Sequence, residues 1–451
     1  MSLRKNKRTI LRTIKLIMNF QQFYKRFPGL LLLVLCKLSF VYSQANMERY
    51  VKDSVVQVRS IDPNDTLFSD FDLLGKAIGN SKIVMLGEQD HGDSRTFLAK
   101  CRIIKYLHEK LGFNVLAFES DFYALNKVWD SISLNPSQVE STIIDNVFKV
   151  WTLCQQFKPV VQYLVEQYDG NNRLQLAGFD DQLVGKYSVA NLELNLRNYI
   201  TSKGITFSKD EKNMSRFKNT INSVHNFYYG GKYIKSDSTI QMFSDLGTLV
   251  DLIIQQLSLD TDNLNSFEMQ TLSSLQAISD QMIYALNKDY FLADSIRDKK
   301  MASNLQWLCT YKYPNEKIII WAANSHIVKS DSRLLKKKFA KPSSMGYLFT
   351  SDPIMQDKTY VIGFTGLQGE TGRITSSNKY NIPKPEKDGL ESWLADKKVS
   401  YGFVDFRAFR KRNPADNESF NMRYTNWISV KLPWHNICDG VFYISDMTAC
   451  Q

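Results

Sequence analysis

The 451-residue sequence has few of the residues that mark specialised protein classes: 6 cysteines, 5 histidines, 11 prolines and 21 glycines. This composition excludes a disulfide-dense scaffold, a collagen-like chain and a proline-rich disordered chain. The sequence also lacks GxSxG, P-loop, strand-linked GxGxxG and HExxH motifs, so serine hydrolases, NTPases, dinucleotide enzymes and zinc proteases lose their usual support. The chain is 43% hydrophobic and long enough to bury a full core.

The excess of positive charge is confined to the first 43 residues. The chain carries 57 Lys and Arg against 46 Asp and Glu, a net charge of +11. Nine of the basic residues and no acid lie in 1–43, which leaves 48 basic and 46 acidic residues and a net charge of +2 for 44–451. Because a nearly neutral chain offers no basic surface for phosphates, we expect no nucleic-acid partner.

The basic region predicts an export leader. It ends at Lys25-Arg26 and is followed by the apolar run Leu30–Leu35 and by the cleavage pattern Val41-Tyr42-Ser43. The apolar run is short for a membrane span of about 20 residues, which favours a cleaved leader over an anchor. We therefore predict a leader at 1–43, a domain at 44–451 that is periplasmic or extracellular, and no membrane span after cleavage.

Five cysteines remain in 44–451: Cys101, Cys154, Cys309, Cys438 and Cys450. Their odd number, their wide spacing and the absence of a CxxC pair argue against a disulfide framework or a zinc ribbon. A bridge between Cys438 and Cys450 has only their closeness in sequence in its favour.

Apolar runs that end in polar residues predict an α/β fold with buried parallel strands. Strands are predicted at Lys82–Leu86, Phe113–Phe118, Arg173–Phe179 and Lys317–Trp321, and the apolar spacing predicts a helix at Ser94–Leu111. Polar residues directly after such strands lie at the carboxyl ends of a parallel sheet, which is a common position for active sites.

The middle of the chain has a different pattern. No proline occurs from Val160 to Tyr313 and no glycine from Thr248 to Met345. Because apolar residues there recur at helical spacing, we predict a helical insertion at 190–310. Shorter strands are predicted in the last third, at Tyr360–Phe364, Tyr401–Val404 and Val441–Ile444.

Two strand ends share a pattern in which a histidine follows the last apolar residue of the strand by five positions. Such strands could direct His91 and His326 into one cleft. Glu88 lies three residues before His91, close enough to orient the imidazole so that it accepts a proton from water. The commoner outcome of this spacing is a capping Glu88 and a hydrogen-bonded loop histidine.

Polar residues with related positions complete the candidate site. Glu119 ends the second strand and would enter the same crevice, or else act as a cap or ion-pair partner. Asp180 and Asp181 end the third strand, where one is expected to cap the next helix and the other to support the site. Arg297 could bind a carbonyl oxygen or a substrate carboxylate, although a surface ion pair is commoner. Asn324 could donate to a substrate or hold its loop.

These blocks, taken in order, resemble the erythromycin esterase family. The matching blocks are Val84–Gly92, Leu116–Glu119, Gly178–Asp180, Arg297-Asp298 with Met301–Asn304, and Trp321–His326. The resemblance implies two similar α/β halves that form a central sheet, with the helical insertion over a cleft. It also implies that a histidine-activated water hydrolyses a small-molecule ester or lactone, without a covalent serine intermediate.

By position, His91 resembles the family's general base, Glu88 and Glu119 its acidic partners, His326 a second cleft histidine, and Arg297 a cleft arginine. Two positions depart from the pattern. The family usually has a histidine where this chain has Ala323 and a glutamate where it has Arg95. These changes should alter substrate fit and proton balance, and Arg95 could pair with a site carboxylate and lower its pKa.

Three hypotheses follow. The leading one is an exported, monomeric, cofactor-free hydrolase of a small ester. Its expected catalytic residues are His91, Glu88, Glu119 and His326, and its expected substrate-binding residues are Arg297, Asn324 and Asp180. The second adds a divalent metal, which the same glutamates and histidines could bind. The third is a degenerate relative that binds a ligand at the cell envelope without turnover.

Overall fold

A computed structural model describes residues 47–131, 135–229, 235–329 and 343–451. The predicted leader at 1–43 lies outside the described residues. The chain divides into two compact units, Met1–Asp53 and Ser54–Gln451, and the described part of the first, 47–53, is helical. Everything that follows concerns the second unit.

The strands are β1 (Val56–Gln57), β2 (Ile83–Leu86), β3 (Val115–Asp121), β4 (Gln175–Asp180), β5 (Ile318–Trp321), β6 (Thr359–Thr371), β7 (Tyr380–Asn381), β8 (Tyr401–Asp405), β9 (Phe420–Thr425), β10 (Ile428–Leu432) and β11 (Gly440–Met447). The helices are α1 (Asp72–Ile78), α2 (Ser94–Leu111), α3 (Phe122–Ser131), α4 (Pro136–Asn146), α5 (Lys149–Thr152), α6 (Lys158–Tyr168), α7 (Lys186–Ser202), α8 (Glu211–Tyr229), α9 (Asp237–Leu257), α10 (Phe267–Leu286), α11 (Tyr290–Trp307), α12 (Asn324–Ile327), α13 (Met345–Thr350), α14 (Pro353–Lys358), α15 (Leu390–Asp396) and α16 (Phe406–Arg412).

A nine-stranded mixed sheet forms the centre, in the order β1-β8-β11-β6-β2-β5-β3-β4, with β7 paired to β6. The six neighbours from β11 to β4 run parallel, whereas β8 is antiparallel to β11 and β1 is antiparallel to β8. Strands β9 and β10 form a separate antiparallel pair. The predicted α/β class with a mostly parallel sheet is therefore confirmed.

The two strands that share a sequence pattern lie side by side. β2 pairs with β5 in parallel, with Ile83 opposite Ile318 and Leu86 opposite Trp321. All four residues of each strand are buried, which is why both read as continuous apolar runs. Because their ends are level, the segments that follow them emerge at one edge of the sheet.

Helix α2 begins and ends where the sequence predicts. Gly112 follows it in the left-handed conformation, with φ of 69°, which a glycine adopts without strain. The helix is buried more completely than a surface helix, and both Lys100 and Arg102 are fully buried. Each of these cations therefore needs an internal partner.

The predicted insertion is helical throughout its described length. After β4 ends at Asp180, the next strand begins at Ile318, and helices α7 to α11 occupy the described residues between them. Helix α11 contacts both α10 and β4, and this contact carries Arg297 to the carboxyl end of the sheet. The helical region is slightly longer than the predicted 190–310, because α7 already begins at Lys186.

The cysteine pattern was misinterpreted, because Cys154 and Cys450 form a disulfide while Cys438 is free. The suggested Cys438–Cys450 bridge is wrong because the eight-residue strand β11 lies between these cysteines and holds them roughly 25 Å apart. That separation is far beyond the reach of a disulfide. In the described part of the chain, no helix combines the length and the apolar character needed to cross a membrane.

Candidate functional site

Glu88 is the centre of the first cluster of the site. It follows β2, is fully buried, and accepts three hydrogen bonds: from His91 Nδ1 at 2.6 Å and Trp151 Nε1 at 2.7 Å on Oε1, and from Lys100 Nζ at 2.6 Å on Oε2. Burial would raise the pKa of Glu88, but the charges of Lys100 and His91 outweigh it and hold the pKa below its ordinary value. Glu88 is therefore an ionised carboxylate whose position is fixed from three sides.

His91 is held by its neighbours while keeping contact with solvent. Glu88 binds Nδ1, and the ring meets the Trp151 indole edge-on, with centroids 5.3 Å apart and an angle of 86°. The side chain retains 18% of its exposure, so water can reach it. A carboxylate on Nδ1 favours the tautomer with its proton there, which leaves Nε2 to accept a proton.

Arg297 is the centre of the second cluster. Its Nε and Nη2 bind the two oxygens of Asp180 at 3.2 and 2.5 Å, and Nη2 also donates to Glu119 Oε1 at 2.9 Å. Glu119 accepts a further bond from the Ala323 amide at 2.9 Å on Oε2. Asp180 is fully buried, so it serves as a partner of Arg297 and does not face a substrate, which corrects its predicted substrate-binding role.

His326 joins the second cluster through both ring nitrogens. Nδ1 lies 2.5 Å from Asp298 Oδ1, and Nε2 lies 3.4 Å from Glu119 Oε1 and 3.5 Å from Arg297 Nη1. Helix α11 supplies both Arg297 and Asp298, whereas His326 lies on the short helix α12 after β5. Sheet and insertion therefore build this cluster jointly.

The two clusters share an electrostatic environment. Burial would raise the pKa of Glu119, but His326, Arg297 and His91 together hold it below its ordinary value. Burial lowers the pKa of Lys100 to about 8, against the opposing charges of Glu88 and Glu119. The pKa of Arg297 is well above its ordinary value because Asp180 and Glu119 outweigh its burial. Both glutamates are accordingly ionised at neutral pH.

Asp181 and Lys300 are two further buried charged groups whose charges act on each other. Both are almost inaccessible to solvent, and Lys300 donates to Ser273. Burial and the adjacent Asp180 raise the pKa of Asp181 well above its ordinary value, and burial lowers that of Lys300 to about 7. Neither aspartate caps α7, because the N-cap residue of that helix is Gly185 and no side chain caps it, which makes the expected capping role wrong.

Asn324 holds its loop. It is fully buried, its amide nitrogen donates to the carbonyl oxygens of Phe364 and Tyr424 at 2.8 and 2.6 Å, and its oxygen accepts from the Phe364 amide at 3.1 Å. Of the two predicted roles the structure shows the second, in which Asn324 holds its loop, and the substrate contact stays a prediction. Gly87 makes room for it, since a Cβ at that position would lie 1.8 Å from Asn324 Oδ1.

Three functional residues escape the sequence argument: Lys100, Trp151 and Asp298. Lys100 lies within a predicted helix, where a lysine normally faces solvent. Trp151 belongs to a four-residue helix without a pattern of its own. Asp298 was noticed only as a neighbour of Arg297. Arg95, which could have paired with a site carboxylate, instead donates to the carbonyl oxygen of Asp446 at 3.0 Å.

The carboxylates present do not fit a divalent metal ion. Glu88 is already neutralised by Lys100, and Glu119 and Asp180 share Arg297. A metal would have to displace these cations, which are bound at hydrogen-bond distance. Within the described ranges, no three His, Cys, Asp or Glu side chains are grouped so as to hold a metal ion.

An open pocket of about 200 Å³ lies against Arg297. Its lining residues are Gln182, Gln281, Met282, Ala285, Tyr290, Ala293, Asp294 and Arg297. All except Gln182 come from α10 and α11. The helical insertion therefore supplies most of the surface that a ligand beside Arg297 would contact.

The sequence is similar to a known family and to two curated proteins. The erythromycin esterase family profile matches residues 108–446. YbfO, a presumed hydrolase of Bacillus subtilis (strain 168), is 26% identical over 410 residues, which cover 86% of this chain and 89% of YbfO. Erythromycin esterase type II of Escherichia coli is 22% identical, over 90% of this chain and 98% of that enzyme.

Solved structures share the fold. A histidine-to-asparagine mutant of erythromycin esterase EreC in its open conformation has a TM-score of 0.61 at 15% identity, covering 87% of this chain and 98% of that chain. A protein described as a succinoglycan biosynthesis protein has a TM-score of 0.68 at 16% identity, covering 90% and 98%. Since the family profile spans most of the chain, this protein belongs to the erythromycin esterase family.

Proposed function

We propose that this protein is an exported, cofactor-free hydrolase in which His91 activates a water molecule to cleave an ester or lactone. The observation that carries the proposal is the 2.6 Å contact between His91 Nδ1 and the buried, ionised Glu88. A histidine that is oriented by a carboxylate and still reached by solvent is equipped to act as a general base.

The reaction would begin at His91 Nε2. This nitrogen takes a proton from water while the water oxygen attacks the ester carbonyl carbon. Glu88 stabilises the imidazolium that forms, and Trp151 and Lys100 keep Glu88 in place. When the tetrahedral intermediate collapses, the same proton passes to the departing alkoxide, and the products are an acid and an alcohol.

Arg297 would stabilise the developing oxyanion. Nε and Nη2 of Arg297 donate to Asp180 and Glu119, whereas Nη1 has only a longer contact of 3.5 Å with His326 Nε2 among the contacts described above. A donor held in a buried ion network costs little reorganisation when charge develops beside it. In this scheme Glu119 and Asp180 fix the guanidinium, and His326 with Asp298 lines its other side.

The architecture favours a cleft between two similar halves. The equivalent strands β2 and β5 are neighbours at the centre of the sheet and deliver His91 and His326 from level ends. The insertion adds Arg297 from above them, so the site is complete only when all three parts meet. The Cys154–Cys450 disulfide supports export, because disulfides persist in oxidising compartments.

Turnover of a panel of chromogenic esters and lactones tests the proposal. We expect wild-type protein to hydrolyse at least one member and His91→Ala to lose about 100- to 10,000-fold in kcat. Circular dichroism and thermal unfolding should show that the variant is folded. Undiminished turnover by folded His91→Ala would contradict the proposal.

Two further outcomes separate the other hypotheses. Inactivation by a chelator, with recovery after a divalent metal is added, would favour the metal-dependent enzyme. No product from any ester, together with tight binding of a panel member, would favour the degenerate ligand-binding protein. We expect chelator to leave activity unchanged, because the site carboxylates are already neutralised by Lys100 and Arg297.

A further inference from the structure

The lining of the pocket beside Arg297 combines apolar and polar side chains. Met282, Ala285 and Ala293 supply aliphatic surface, and Tyr290 is 63% exposed. Gln182 and Gln281 supply amide groups. A volume of about 200 Å³ suits a small group, whereas pockets for whole drug-sized ligands are roughly 300–1,000 Å³.

Arg297 is not available to bind a carboxylate in this pocket with two donors. A carboxylate is bound best by two parallel donors of one guanidinium. Asp180 already takes that bidentate position through Nε and Nη2, and Glu119 takes a second bond from Nη2. The remaining donor, Nη1, can serve a single oxygen but cannot form the paired contact.

The charges around the pocket also disfavour an anion. Two carboxylates, Asp180 and Glu119, face one guanidinium, and Asp294 adds another carboxylate to the wall. The two carboxylates that share Arg297 therefore outnumber the guanidinium between them.

We propose that this pocket is a substrate subsite that admits a small uncharged or cationic group and rejects an anionic one. The assignment rests on the proposed function, because it places this group of the substrate next to the ester carbonyl that Arg297 would polarise and that the water activated by His91 would attack. It makes acid-bearing esters poor substrates and neutral or amine-bearing esters the class to search.

Three small probes of similar shape test the subsite without any turnover: pivalamide, pivalate and tetramethylammonium. Ligand-observed NMR titrations would measure their affinities for the full-length protein. Because like charges at this range repel even in a partly solvated site, we expect pivalate to bind about tenfold or more weakly than pivalamide. Equal or tighter binding of pivalate, or no binding of any probe, would overturn the proposal.

A matched pair of variants locates the effect. Gln182→Lys adds a positive charge to the pocket wall and should raise the affinity for pivalate relative to pivalamide several-fold. Gln162→Lys makes the same change at an exposed position of α6 outside the pocket lining and should leave the ratio unchanged. An unchanged ratio in Gln182→Lys would show that the probes bind elsewhere, which also overturns the proposal. The proposed hydrolysis is judged separately by His91→Ala, so the two can fail independently.

Discussion

At the scale of single residues, the candidate site contains side chains whose part is to hold Glu88 in place. Trp151 and Lys100 each donate a hydrogen bond to Glu88. Trp151 is distant from Glu88 in the sequence, and Lys100 lies inside helix α2. A buried carboxylate without such donors would take up a proton. It would then orient His91 poorly.

Trp151→Phe removes the hydrogen bond to Glu88 and keeps an aromatic ring against His91. We expect kcat/KM on the ester identified by the panel to fall roughly 10- to 100-fold, the range for a hydrogen bond to a charged group. Trp129→Phe is the matched control, because the buried Trp129 indole nitrogen has no hydrogen-bond partner to lose. If both variants behave alike, Trp151 contributes packing only.

Asp439 is another buried carboxylate that neighbouring cations keep ionised, at a position away from the candidate site. It is almost fully buried and binds Lys329 at 2.6 Å, Arg410 at 2.5 Å and Arg407 at 3.2 Å. Burial alone would raise the pKa of Asp439, but these three cations hold it well below its ordinary value. Asp439 therefore contributes stability as an ionised carboxylate.

Asp439→Asn should destabilise the protein by about 3–5 kcal/mol at pH 7, because three partly buried cations lose their counter-ion. A depressed pKa gives stability that is present above the unfolded value, near 3.9, and is lost as the pH falls towards the folded value. The gap between wild type and variant in urea unfolding should thus be constant from pH 7 to 5 and shrink below pH 4. A constant gap down to pH 3 would contradict this account.

At the scale of elements, residues 448–451 act as a strap beside the His91 loop. The Ser94 amide donates to the Thr448 carbonyl at 3.0 Å, and the Cys450 amide donates to the Gly92 carbonyl at 3.1 Å. On the other side, the Gln155 amide donates to the Gln451 carbonyl at 2.7 Å. The disulfide from Cys450 to Cys154 ties this strap to the segment that follows Trp151.

Cys450→Ser should therefore lower both stability and activity. The disulfide closes a very long loop, so we expect a loss of about 3–5 kcal/mol in urea unfolding. Activity should fall mainly through kcat, since the strap positions His91 and Trp151 and does not line the pocket. Dithiothreitol should reproduce the effect in wild type and in Cys309→Ser but not in Cys450→Ser. Activity indifferent to reduction would refute a positioning role for the strap.

The elements also show which parts of a sequence can be interpreted alone. β2, β5 and α2 were predicted within a residue or two because each is apolar over its whole length or at helical spacing. The β9–β10 pair was missed because its turn residues, Asn426 and Trp427, have positive φ values of 49° and 58° without any glycine. Trp427 is held there by tertiary contact, since its indole donates to Asp93 at 3.2 Å.

At the scale of the whole molecule, the site could be predicted to the extent that it follows the order of the sheet. Glu88 follows β2, whereas Glu119 and Asp180 lie at the carboxyl ends of β3 and β4. These strands and β5 are neighbours in the parallel part of the sheet, so the sheet order brings their polar residues to one edge. Pairing across the fold could not be predicted in this way. Only packing shows that the side chain of Asn324 already bonds the backbone of Phe364 and Tyr424, and that Asp180 already binds Arg297.

The export prediction is tested on the intact chain. Expression from the full-length gene should give a secreted or periplasmic protein whose first residue, by N-terminal sequencing, is Gln44. Cleavage at that bond is expected because Val41 and Ser43 occupy the positions that signal peptidase recognises. Protein retained in the cytoplasm with residues 1–43 attached would contradict it.

The close approach of Gly87 and Asn324 means that the residues at these two positions constrain each other. No side chain can be added at position 87 unless the residue at 324 becomes smaller, and the backbone bonds that Asn324 makes would then be lost. Mutations at the two positions should therefore be tolerated together or not at all. We therefore expect relatives to differ in the insertion and its pocket while they keep Gly87 and Asn324. Substrate preference could then change without any change in the residues that hold the two strand ends together.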